Sequence, residues 1–117
     1  MLTRQADGNE QPVLERLRLR VPSGTQQAWL EAERDTWIPW LRQKRGFVRR
    51  EEWWDQQEEV GVIQIQWSSR SAWKAIPQDE VESIQSQFEA RAKAALNLPC
   101  GSAHPFPLLS CEEMSPP

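Results

Sequence analysis

The chain predicts an α+β fold built on one antiparallel sheet. Three observations carry this. Residues 13–21 (VLERLRLRV) alternate apolar and charged; residues 46–68 hold two strand-like runs joined by a polar turn; and helically spaced segments separate and follow them. The order β-α-β-β-α, with room for a last strand in the C-terminal tail, is the ferredoxin-like split βαβ arrangement.

The first strand sets Val13, Leu17, Leu19 and Val21 on one face and Arg16, Arg18 and Arg20 on the other, and Pro22, Ser23 and Gly24 end it. Residues 25–44 have helical spacing, with Leu30, Trp37 and Leu41 on one stripe and Trp29, Glu33, Thr36 and Trp40 beside it. Pro39 lacks an amide hydrogen and disfavours helix at the preceding residue, so a kink or a new short turn is expected there. The second strand is residues 46–54, the turn 55–59, and the third strand 60–68, with Ile63, Ile65 and Trp67 apolar against Gln64 and Gln66. Their adjacency predicts a hairpin. A short helix over 69–76, capped by Ser68 or Ser69 and stopped by Pro77, precedes a longer one capped by Asp79, in which Val81, Ile84, Phe88, Ala92 and Ala95 recur every three or four residues. The domain therefore spans 12–98, behind a leader at 1–11 expected to be disordered. In the Pro-rich tail, 99–117, a strand is expected only at 106–109, held to a sheet edge by Pro105 and Pro107.

Bulk properties exclude several functions. A net charge of −3 gives no field for nucleic acid, and the basic cluster Arg42, Lys44, Arg45, Arg49 and Arg50 is offset by Glu51, Glu52, Glu58 and Glu59. No apolar run is long enough to span a bilayer, and the first twelve residues lack the apolar core of a secretory signal, so a cytoplasmic location is the expectation. Cys100 and Cys111 with His104 do not make a zinc site, and with a single histidine no Ser-His-Asp triad is available. No metal and no cofactor are expected.

A right-handed crossover places the third strand beside the first and leaves one sheet face without helices. That face would carry Leu14, Arg16, Arg18, Val62, Gln64, Gln66 and one side of the second strand. The chain has seven tryptophans and no tyrosine, more indole than a core of this size requires. Large exposed aromatic surface marks an interface or a ligand site. A homodimer packing this face against its own copy would cover it.

The stretches DTWIPWLRQK, GFVRREEWW and VIQIQWSSRSAWKAIP, within residues 13–96, resemble the antibiotic-biosynthesis-monooxygenase (ABM) domains of the dimeric α/β-barrel superfamily, and in particular a small cyanobacterial family with the same strand–helix pattern. The resemblance implies a two-sheet barrel across a dimer axis, and either a cofactor-independent oxygenase of an aromatic anion or a non-catalytic dimeric binder of small molecules. The haem-degrading relatives use a helix-side histidine, which this chain lacks; the oxygenases favour Tyr and Asn, and here Tyr is absent and Asn occurs only at 9 and 97.

Within that frame the candidate pocket residues are Arg16, Arg18, Gln64, Gln66 and Trp40. The arginines would grip an anionic planar ligand while Trp stacks on it. The competing reading pairs them with Glu51 or Glu52 across strands, or with the partner chain. Trp29, Trp37, Trp67 and Trp73 are assigned to the core, and Trp53 and Trp54 to the dimer interface.

Overall fold

The computed structural model describes residues 8–117; most of the expected disordered leader lies outside them, and Gly8–Glu10 forms a single 3-10 turn. Strands β1 (Val13–Arg20), β2 (Phe47–Asp55), β3 (Val60–Trp67) and β4 (Leu108–Met114) form one antiparallel sheet in the order β2-β3-β1-β4. Helices α1 (Gln26–Asp35), α2 (Trp37–Arg42), α3 (Arg70–Lys74) and α4 (Gln78–Ala95) supply the second layer. This is the ferredoxin-like α+β fold expected from the alternation.

The region 25–44 is two helices rather than one. The backbone breaks at Thr36 (φ −129°, ψ −77°), whose hydroxyl donates to the Ala32 carbonyl at 2.6 Å. Pro39 then falls in the first turn of α2, where its missing N–H costs nothing. At the next junction Ser69 caps α3, its hydroxyl oxygen accepting from the Ala72 amide. Helix α4 starts two residues earlier than expected: Pro77, not Asp79, occupies its N-cap position, and Asp79 lies inside the first turn.

The last strand differs in extent from the expected 106–109. It runs Leu108–Met114 along the free edge of β1. Pro105 and Pro107 cannot donate to a ladder, so pairing starts after them; Pro107 contributes only its carbonyl, to the Arg20 amide at 2.9 Å. Phe106 is instead buried against Phe88, with ring centroids 6.4 Å apart. The tail thus completes the sheet.

The core lies between the helices and one sheet face: Val13, Leu19, Val21, Trp29, Ala32, Leu41, Ile63, Ile65, Trp67, Phe88, Ala92 and Phe106 are all buried. Gly61 is needed where it stands. A Cβ there would meet the Trp29 ring at 2.7 Å and Val21 at 2.9 Å, so the indole lies directly on the β3 backbone. Gly46, at φ +87°, makes the tight entry into β2, where a Cβ would meet the Ala72 Cβ at 2.5 Å.

Candidate active site

Strand alternation sorts every side chain of the sheet onto one of two faces. Registered neighbours on the helix side form the rows Arg50–Ile65–Glu15–Glu113 and Glu52–Ile63–Leu17–Cys111. The other side carries Glu51–Gln64–Arg16–Glu112 and Trp53–Val62–Arg18–Ser110.

A cavity of about 350 Å³ opens between the helix side and the helices. Its floor is Leu17, Leu19, Ile63, Ile65 and Trp67; α2 supplies Trp37, Trp40 and Leu41; Trp73 of α3, Ile76 of the α3–α4 connection and Val81 of α4 close it. This volume and aromatic lining suit a small planar ligand. Trp37 and Trp40 meet edge to face at 5.4 Å. The Trp40 indole N–H donates to Glu80 at 2.9 Å, and Lys44 pairs with the same carboxylate, which ties α2 to the start of α4.

Into this apolar space project two carboxylates and two cations: Glu15, Glu33, Arg50 and Lys74. Glu33, from α1, is 1% exposed. Its Oε2 accepts from the Trp29 indole at 3.1 Å and its Oε1 from Arg50 Nη2 at 2.9 Å. Arg50 is shared, its Nη1 donating to Glu52 at 2.7 Å. Burial pushes the Glu33 carboxyl up to about 7; the Arg50 charge and the two donors oppose this, and the Glu52 charge adds to it. Desolvation wins because the guanidinium divides its charge between two carboxylates. Glu15 is likewise raised by burial, against the Trp67 indole that donates to it at 3.1 Å and the positive charge of Lys74. Lys74 rests over the Trp73 ring, 3.8 Å from its centroid. Acid–base chemistry near neutral pH needs a carboxylate held in this way.

Of the sequence-predicted pocket residues, Trp40 lines the cavity. Arg16, Arg18, Gln64 and Gln66 share the opposite, helix-free face, where they are half-buried. The ion pairing considered for Arg16 and Arg18 falls to their neighbours: Arg49 pairs with Glu51, and Arg50 with Glu33 and Glu52. The two interface tryptophans separate, because adjacent strand residues face opposite ways. Trp53 is 63% exposed on the helix-free face. Trp54 turns to the helix side, packs against the core and donates its indole N–H to the Val21 carbonyl at 3.0 Å. Trp29 and Trp67 are core, as assigned, whereas Trp37 and Trp73 are half-buried cavity walls.

Glu15, Glu33, Arg50 and Lys74 were not singled out from the sequence. A signal existed for two of them: Glu15 is the one acid in the apolar phase of β1, and Glu33 lies one helical turn from Trp29, on the buried face of α1. His104 has a structural role, its Nδ1 accepting from the Phe106 amide at 2.9 Å beside the Phe88 ring, and burial lowers its pKa. Both cysteines are free, and among the described residues no cluster of His, Cys, Asp and Glu could hold a metal ion. No described helix is long and apolar enough to cross a membrane.

No protein-family model and no curated protein matches the chain. Solved structures do share its fold. A monooxygenase from the gene ActVA-Orf6 of Streptomyces coelicolor, in complex with the ligand nanaomycin D, is 18% identical over 96% of this chain and 95% of that one, with a TM-score of 0.63. SnoaB, a cofactor-independent oxygenase from Streptomyces nogalater, is 16% identical over 92% and 94%, with a TM-score of 0.59. A conserved protein of unknown function from Bacteroides thetaiotaomicron, described as a possible oxidoreductase, is 10% identical over 91% and 98%, with a TM-score of 0.54. The ABM-like fold read from the sequence is therefore the fold of this chain.

Proposed function

We propose that this chain, which shares its fold with small monooxygenases, is a cofactor-independent oxygenase of an aromatic small molecule that reacts with dioxygen as its own anion. The observation that carries the reading is the tryptophan-lined cavity with Glu33 buried and Glu15 half-buried in its wall. An electron-rich aromatic anion can give electrons to dioxygen directly, so the protein has to bind the ring, exclude water and remove one proton. Trp37, Trp40 and Trp73 bind and shield the ring. Glu33, poised near neutrality, is the base; Arg50 and Trp29 fix its orientation, and Lys74 offers positive charge to the anion that forms. Two solved proteins of the same fold are described as a monooxygenase and a cofactor-independent oxygenase, which supports this reading.

The test is oxygen uptake by the purified chain with a panel of polyhydroxylated fused-ring aromatics and no added cofactor. Uptake that is abolished in Glu33→Gln supports the proposal. Ligand binding without uptake would replace it with the second reading, a non-catalytic binder.

The proposal includes a cytoplasmic homodimer in which two helix-free faces form one barrel. Trp53 and Val48 are 63% and 49% exposed, and Arg16 Nε and Ser110 Oγ are buried without a hydrogen-bond partner among the described residues. A partner sheet would cover the first two and offer acceptors to the others. Sedimentation should give twice the chain mass for the wild type and the monomer mass for Trp53→Glu; a monomeric wild type at micromolar concentration would remove the barrel.

A further inference from the structure

Resting on the reading of Glu33 as the base of the site, we infer that Glu52 is a positioning residue of the reaction: it holds the Arg50 guanidinium partly turned from Glu33, so that Glu33 can take a proton without leaving a buried cation unpaired. Arg50 and Glu52 stand two residues apart on β2 and therefore share the helix side of the sheet. β2 is an edge strand, and the Glu52 side chain, 33% exposed, keeps contact with water while those of Arg50 and Glu33 are 7% and 1% exposed. The guanidinium gives one nitrogen to each carboxylate, Nη2 to Glu33 at 2.9 Å and Nη1 to Glu52 at 2.7 Å. Its Nε is buried and has no hydrogen-bond partner among the described residues.

An arginine and a carboxylate left to each other commonly pair through two parallel bonds, and such a fork would favour the Glu33 anion. Glu52 prevents the fork by taking Nη1. Burial then prevails over the divided charge, and Glu33 is held at about 7. Glu52 has a second effect. When the substrate O–H bond breaks, its proton joins a Glu33 carboxylate oxygen and the electron pair stays on the substrate oxygen. Glu33 then no longer neutralises Arg50, and a buried cation without a counter-ion is costly. Glu52 stays paired with it throughout. The other charges around Glu33 are committed elsewhere. Asp35 of α1 pairs with Arg34 and with Arg91 of α4, Lys44 after α2 pairs with Glu80 of α4, and Arg49 pairs with Glu51 on the helix-free side of β2. Arg42 of α2 lines a small groove with Arg50 and Glu52, and β3 carries no charged side chain. Glu15 of β1 and Lys74 of α3 interact with each other in the same cavity.

The experiment follows the side-chain carboxyl carbon of Glu33 in the full chain by nuclear magnetic resonance as pH is raised through neutrality, its signal identified by its loss in Glu33→Gln. In Glu52→Gln the midpoint should fall by about one pH unit, because Arg50 is freed to pair with Glu33 alone. Glu52→Asp keeps the charge and should hold the midpoint within about half a pH unit of wild type. Glu51→Gln removes the neighbouring charge on the opposite face of β2 and should leave the midpoint in place. The acid limb of oxygen uptake against pH should move with the midpoint in each variant. If Glu52→Gln fails to fold, Glu52→Ala decides by the same titration. A midpoint that stays at its wild-type value in the uncharged Glu52 variant, or that falls equally in Glu51→Gln, overturns the inference. An acid limb that stays in place while the midpoint moves removes Glu33 as the base. Absence of oxygen uptake with the midpoint displaced as expected overturns the oxygenase reading, while the coupling of Glu52 to Glu33 through Arg50 stands.

Discussion

Replacing Glu33 by Gln should remove a large part of the pH dependence of stability. Glu33 is held at about 7 in the folded chain, against an ordinary value of 4.5. The folded state therefore keeps a proton that the unfolded state has released between these limits. That contribution to stability is complete below about pH 4.5 and is lost as pH rises through 7. At about 1.4 kcal/mol per pH unit, the loss comes to about 3 kcal/mol. Gln preserves the shape and can still accept from Trp29 or Arg50, but it does not titrate. Glu15, also raised, acts with the same sign; His104, held low by burial, acts with the opposite sign near its ordinary value of 6.5. Both remain in the variant, so the difference between the two proteins isolates Glu33. Urea unfolding followed by tryptophan fluorescence at pH 5 and pH 8 supplies the assay. The stability of Glu33→Gln relative to wild type should rise by about 2 to 3 kcal/mol from the lower to the higher pH, since part of the change lies below pH 5. A difference independent of pH would refute the assignment of a buried, raised carboxyl at this position.

Arg50→Met strands the Glu33 carboxylate and should cost about 3 kcal/mol at pH 8 and distinctly less at pH 5, where Glu33 is protonated in the folded state, by the same urea assay. Gly61→Ala drives a methyl into the Trp29 ring and Val21, and should lower stability by about 2 kcal/mol, read as a fall in Tm. Trp54→Phe removes the donor to the Val21 carbonyl and should cost about 1 kcal/mol in chemical denaturation without changing the far-ultraviolet circular dichroism.

The fold was legible because β1 and β3 bury one face: alternation in VLERLRLRV and VIQIQW specifies both strand and register. The last strand was harder to read, since LLSCEEM is an exposed edge with no such alternation and the prolines before it draw attention to the wrong residues. The break at Thr36 was half-legible: Pro39 announced a discontinuity, and its place in the first turn of α2 decided the form. The candidate site was the least legible part. Its polar groups come from β1, α1, β2 and α3, and what distinguishes the first three, Glu15 in part and Glu33 and Arg50 fully, is burial, which the fold creates. Arginine and glutamine on β1 and β3 looked more like a pocket than a single glutamate on an apolar face did. Alternation could have separated Trp53 from Trp54 in advance, because neighbours on a strand cannot share a face.

The seven tryptophans allow the central claim to be tested at residue resolution. In a nitrogen-proton correlation spectrum of the indole groups, addition of a polyhydroxylated fused-ring aromatic should shift the signals of Trp37, Trp40, Trp67 and Trp73, which line the cavity, and leave that of Trp53 unmoved on the far side of the sheet. A shift at Trp53 with the four cavity signals unchanged would place the ligand on the helix-free face and contradict the account.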